Sequence, residues 1–103
     1  MKNRVAVTGM GTLTPLGNTV EALWEGLVNG RSGIGEITRF DTTDFTSKIA
    51  GEVRDFEPTD YVSRRDARRM DRFTQFAVAA ADTALETADL DTCSWNGERV
   101  GVV

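Results

Sequence analysis

The apolar positions of this chain change period several times along its length, and each change predicts an element. Residues Arg4 to Thr8 alternate β-branched and small side chains in a short apolar run that reads as a buried strand, ended by Gly9, Met10 and Gly11. Beyond a loop through Pro15, Gly17 and Asn18, apolar Val20, Leu23, Trp24 and Leu27 recur at helical spacing, and Asn29-Gly30 supplies the stop. Asn18 is placed to cap that helix, with Glu21 three residues on as the capping-box acid. Residues Arg31 to Thr46 set Ile34, Ile37, Phe40 and Phe45 as isolated anchors in a polar stretch, the pattern of an ordered surface loop. Lys48 to Val53 is a second strand, weakened by Gly51. Pro58 and Asp60 mark a helix start.

Asp71 to Leu90 form the strongest element. Phe73, Phe76, Ala77, Ala80, Ala81, Ala84, Leu85 and Ala88 make a wide apolar face with little side-chain bulk, so neighbouring backbone can come close. Such a helix is suited to packing on more than one side, and a short chain has little material to cover it. A polar turn over Asp91 to Glu98 leads into an apolar strand, Arg99 to Val103, where the sequence stops, as expected of a fragment of something longer. The order strand, helix, strand, helix, strand belongs to an α/β layered fold with mixed or parallel pairing. No internal repeat is present.

Composition narrows the classes. At 103 residues the chain is the size of one small domain, able to bury roughly 65% of the surface its unfolded form exposes. With 40% hydrophobic and 27% charged residues it is neither disordered nor fibrous. No apolar segment is long enough to span a bilayer, and the N-terminus lacks the apolar core of a secretory signal, so a cytoplasmic location is expected. The lone Cys93 offers no disulfide framework. Histidine is absent, which removes histidine-based acid/base work and histidine metal ligation, and no metal site is expected.

Charge is distributed unevenly. The net charge is -4, yet Arg64, Arg65, Arg68, Arg69 and Arg72 crowd into nine residues. On one continuous helix, 64, 68 and 72 would stack as a stripe with 65 and 69 beside it, and like charges at that spacing repel. Three readings are open: a solvated face partly neutralised by Asp60, Asp66 and Asp71, a nucleic-acid surface, or a dock for an acidic protein. Nucleic acid is disfavoured by the missing aromatic platforms and the acidic chain. Arginine suits the third through bidentate contacts and faster encounter. Spacing alone does not choose.

Other chemistry fails on inspection. Gly9-x-Gly11 after a strand invites a dinucleotide fingerprint, but Thr14 stands where the third glycine belongs and the helix begins too late. Glycines that turn the chain are the better reading. Cys93 lies among acidic neighbours with no activating base and reads as a structural or solvent-facing thiol. The carboxylate pairs Asp41/Asp44 and Glu57/Asp60 read as loop and cap residues.

Taken together, RVAVTGMGTLTPLGNTVEALWEGLVNGRSGI, ITRFDTTDF, KIAGEV and ARRMDRFTQFAVAAADTALETADL resemble the beginning of the elongating beta-ketoacyl-acyl-carrier-protein synthases, nearest the bacterial synthase II type. The likeness runs in unbroken order from Arg4 to Val103. It rests on V-T-G-x-G-x-x-x-P-L-G-N, the S-G-I turn at Ser32 to Ile34, and R-R-M-D-R-F-T-Q. The resemblance implies a thiolase-like α/β fold, of which residues 1–103 would be an incomplete N-terminal part of the first α/β half, with the alanine-rich helix buried between sheets. It implies a Claisen condensation of acyl groups with malonyl carrier protein in fatty acid chain elongation, by a cytoplasmic homodimer with no cofactor. In that family a cysteine and two histidines do the chemistry, all downstream of this region, so no catalytic residue is assigned and the chain alone is expected to be inactive. Acyl carrier protein is the implied partner, with no role for nucleic acid or membrane. Arg65, Arg68 and Arg69 fall where the family places carrier-contacting basic residues, with Arg64 and Arg72 as neighbours. The rival class is a noncatalytic module that binds an acidic partner through the same arginines. If the helix Asp71 to Leu90 is meant to be covered by the missing half, the isolated chain is expected to be aggregated or molten.

Overall fold

The alanine-rich stretch folds as a helix over Arg72–Thr87, here α3, in a computed structural model that describes residues 2–103. Asp71 takes the extended N-cap conformation without a side-chain cap bond. The far end closes through Asp89 at φ 52°, a left-handed residue whose N–H donates to the Glu86 carbonyl at 3.0 Å, while Leu90 N–H reaches the Leu85 carbonyl at 3.3 Å. Small side chains let the N-terminal segment lie directly on this helix. A Cβ on Gly11 would stand 2.9 Å from the Ala80 carbonyl carbon and 3.0 Å from Ala84 N, and one on Gly9 would stand 2.7 Å from Ala88 Cβ. These glycines have ordinary backbone angles, so close approach rather than turning is what they provide. Thr87 Oγ1, which donates to the Thr83 carbonyl at 2.7 Å, lies 3.5 Å from the Met10 carbonyl across the same contact.

The first helix, α1, spans Val20–Val28. Its N-cap is Thr19, whose hydroxyl accepts from Ala22 N–H at 3.1 Å, and not Asn18. The Asn18 amide reaches the other way and donates to the carbonyls of Arg54 at 2.7 Å and Asp55 at 3.2 Å. That pins a loop in which Asp55 holds a left-handed φ of 54°. Gly30, at φ 62°, ends α1 as expected, and Arg31 N–H closes on the Gly26 carbonyl at 2.9 Å.

Two short strands pair antiparallel: β1 (Ile34–Glu36) and β2 (Ile49–Gly51), with Ile34 opposite Gly51 and Glu36 opposite Ile49. β2 lies inside the strand expected at Lys48 to Val53. β1 corrects the reading of Arg31 to Thr46 as loop throughout. The expected terminal strands are absent: Arg4 to Thr8 form no regular element and pair with no other strand, and Gly97–Arg99 form a 3₁₀ turn before an irregular end. An apolar run becomes a strand only where another backbone meets its N–H and C=O groups. Val5 and Val7 are accordingly 93% and 79% exposed. In place of the mixed or parallel layer expected from element order, the chain has one antiparallel pair.

Apolar cover is sparse. Among the described residues Ala79 is the buried hydrophobic residue, at 1% exposure, while Phe73 on the same helix is 72% exposed. The radius of gyration is 17.2 Å, against about 13 Å for a compact domain of this length. Accessible surface is 8687 Å², where a folded monomer of this mass exposes roughly 5,700 Å². Among the described residues no helix is long and apolar enough to cross a membrane.

Candidate functional site

The arginine run does not form one helix. Pro58–Asp60 is a 3₁₀ turn capped by Glu57, and the helix carrying the arginines, α2, is the four residues Arg64–Ala67. Ser63 caps it: its hydroxyl accepts from Asp66 N–H at 3.1 Å and donates to the Asp66 carboxylate at 2.6 Å. The chain then corners through Arg68 to Met70, and Arg72 opens α3. The stripe of Arg64, Arg68 and Arg72 is therefore broken, because Asp71 adopts an extended conformation between them.

The break sorts the five side chains. Arg65, Arg68 and Arg69 are exposed and together line one open recess of about 450 Å³. Arg64 is exposed beside them, and its carbonyl accepts from Arg68 Nε at 3.4 Å. Arg72 turns inward. Its guanidinium lies 4.9 Å from the Phe76 ring centre and 5.6 Å from that of Phe56, and donates to the Val53 carbonyl at 3.1 Å. Burial, with Arg39 nearby, lowers its pKa from the usual arginine value. Phe56 also packs edge-on against Phe76 at 5.0 Å and stacks on Tyr61 at 6.0 Å, so one aromatic cluster supports the turn that leads into α2.

Two contributors escape a reading for charge. Gln75, in the first turns of α3, donates from Nε2 to the Ala67 carbonyl at 2.9 Å and to that of Met70 at 3.4 Å. Ser63 was legible as a cap from its position before Arg64 and three residues ahead of Asp66. Cys93 is exposed in the turn Thr92–Ser94, its N–H bonded to Asp91 Oδ1 at 2.9 Å.

The isolated carboxylates act as loop ties. Glu52 accepts from the Thr38 backbone at 3.0 Å, its hydroxyl at 2.8 Å and Arg39 N–H at 3.3 Å. Asp41 holds the hydroxyl and N–H of Thr43, and Glu57 those of Thr59. The Thr38 backbone bond, then its hydroxyl, lowers the Glu52 pKa, and the Thr43 and Thr59 hydroxyls lead the lowering of Asp41 and Glu57. A depressed folded-state pKa stabilises the bonded loop above the unfolded value, and that contribution is lost as pH falls through the folded value. Below about pH 4, the ordinary carboxylate range, the Thr38 and Thr59 amides should therefore lose protection and move toward random-coil shifts in an NMR titration. In Glu52→Gln the Thr38 amide should no longer show that acid step. A step that survives the substitution would refute the tie.

Known proteins give this geometry a context. Solved structures of similar fold include the ishigamide ketosynthase/chain length factor, with a TM-score of 0.76 and 44% identity over 88% of this chain and 23% of that one. AntDE:AntF, a type II PKS acyl-carrier protein in complex with its ketosynthase bound to the hexaketide, gives 0.69 and 29% over 93% of this chain and 25% of that one. The class is thus α/β, the thiolase-like ketosynthase architecture. The family model for the beta-ketoacyl synthase N-terminal domain matches residues 2–103, and the chain belongs to that family. It is 48% identical to 3-oxoacyl-[acyl-carrier-protein] synthase 2 of Synechocystis sp. over 99% of its length and 24% of the relative's. The protein of the same name from Vibrio harveyi is 50% identical over 98% of this chain and 24% of its own length. The chain spans about a quarter of the relatives it matches.

Proposed function

We propose that this chain is an incomplete N-terminal part of a 3-oxoacyl-[acyl-carrier-protein] synthase, a cytoplasmic homodimer that condenses acyl groups with malonyl carrier protein in fatty acid elongation. Its contribution is substrate delivery: Arg65, Arg68 and Arg69 receive an acidic acyl carrier protein, with Arg64 at the edge. The observation that carries this is that three exposed arginines, Arg65, Arg68 and Arg69, line one recess in an otherwise acidic chain. Such an arrangement offers several charge-assisted contacts to carboxylates at once. Arg72, occupied by two rings and a carbonyl, supports the corner from within.

The sequence holds no histidine. A cysteine and two histidines for condensation must come from elsewhere in the whole enzyme. Mixed with acyl and malonyl carrier proteins, the 103-residue chain should form no condensation product, and turnover would overturn the division of labour. Calorimetry of the intact synthase with the carrier alone should give binding that weakens as salt rises. Salt-independent binding, or none to the intact synthase, would overturn the docking reading.

A further inference from the structure

We propose that Gln75 is a positioning residue for carrier docking: it caps the end of α2 and so fixes the direction in which Arg65, Arg68 and Arg69 point. The inference rests on the docking reading. A four-residue helix leaves its carbonyls without intrahelical partners and is marginal alone. Ser63 holds its start through the Asp66 N–H at 3.1 Å. At its end, where no residue of α2 itself can serve, the Gln75 amide reaches back across the corner to the Ala67 carbonyl at 2.9 Å and the Met70 carbonyl at 3.4 Å. Ala67 is half-buried and directly precedes Arg68, so the bonded carbonyl is the hinge of the arginine platform.

The donor itself is held. Gln75 N–H bonds the Asp71 carbonyl at 3.1 Å within the start of α3, and Arg72 anchors that start to Val53 and to the Phe56 and Phe76 rings. An amide on a rigid turn can carry both bonds because it has two N–H donors. Without it, two half-buried carbonyls lose their partner and α2 frays. The three guanidiniums would then have to be ordered during docking rather than before it, which weakens binding without removing a single charge.

In the intact synthase, Gln75→Met, close in length but with no donor, should raise KM for acyl carrier protein about fivefold to tenfold while leaving turnover of a small thioester substrate unchanged. Gln75→Glu, polar and close in size but equally without a donor at neutral pH, should raise it at least as much and stands in should the Met variant fail to fold. The decisive measurement repeats the substitution in an Arg65→Ala, Arg68→Ala, Arg69→Ala background, where it should have no further effect on carrier KM. A carrier KM within twofold of the parent, or an equal effect in both backgrounds, overturns the positioning role while the docking reading stands. A triple-alanine enzyme at Arg65, Arg68 and Arg69 with unchanged carrier KM removes the docking reading itself.

Discussion

Reversing three exposed charges, Arg65→Glu, Arg68→Glu and Arg69→Glu in one intact synthase, should raise KM for acyl carrier protein by about 100-fold or more. Exposed ion pairs contribute up to about 1 kcal/mol each. Three lost together approach 3 kcal/mol, where 1.4 kcal/mol is a factor of ten in affinity. Repulsion from the new carboxylates adds to this, and raising salt should shrink the defect as screening takes hold. Reaction with a small thioester, which has no acidic surface to dock, should keep its rate. Arg72→Glu should behave differently, because its guanidinium lies against Phe76 at 4.9 Å and bonds the Val53 carbonyl. Loss of those partners lowers stability for every substrate alike. Unchanged carrier kinetics in the triple variant would return the cluster to a solvated helix face.

Local chemistry was legible in the sequence, and non-local pairing was not. The bodies of α1 and α3 follow from apolar spacing and nearby stop residues, with bounds within a few residues of those expected. Thr19 displaced Asn18 as a cap because Asn18 serves a loop 36 residues away, a partner that spacing cannot reveal. β1 is three residues with glycine at its centre, and its pairing with β2 is what makes it a strand. The terminal runs carry strand-forming side chains and remain unpaired for the same reason in reverse. At the candidate site, charge density drew attention to residues 64–72, but a continuous helix was the wrong frame. Asp71 before an apolar-periodic run and Ser63 before Arg64 were both cap signals, and together they divide the run into two helices. The proposal that particular arginines dock a carrier rests on the family resemblance. The recess shared by Arg65, Arg68 and Arg69, and the separation of Arg72 from them, came from the fold.

The largest effect on stability is expected far from the arginines, at Gly11. Gly11→Ala should detach the N-terminal segment from α3. Its new Cβ would press into the Ala80 carbonyl oxygen, with the Ala80 carbonyl carbon at 2.9 Å and Ala84 N at 3.0 Å. All three are backbone atoms in the middle of a helix, so no rotamer change relieves the clash, and either the helix bends or the segment lifts. Overpacking costs typically 1–3 kcal/mol where side chains can shift, so about 3 kcal/mol is a reasonable expectation here. Gly9→Ala meets the Ala84 carbonyl oxygen, Ala88 Cβ at 2.7 Å and Ala88 N at 2.8 Å, so Ala88→Gly should relieve only part of its strain. In the intact synthase, limited proteolysis and the thermal midpoint read the outcome: in Gly11→Ala residues 4–14 should be cleaved sooner and the midpoint should fall. Gly97→Ala, where an added Cβ meets nothing within 4 Å, is the matched control and should leave both unchanged. Cleavage and a midpoint in Gly11→Ala equal to those of that control would mean that the glycines serve a turn or a ligand after all. Faster cleavage with a lower midpoint would assign the G-x-G spacing to helix contact, with alanines 80, 84 and 88 as the complementary half of the pattern.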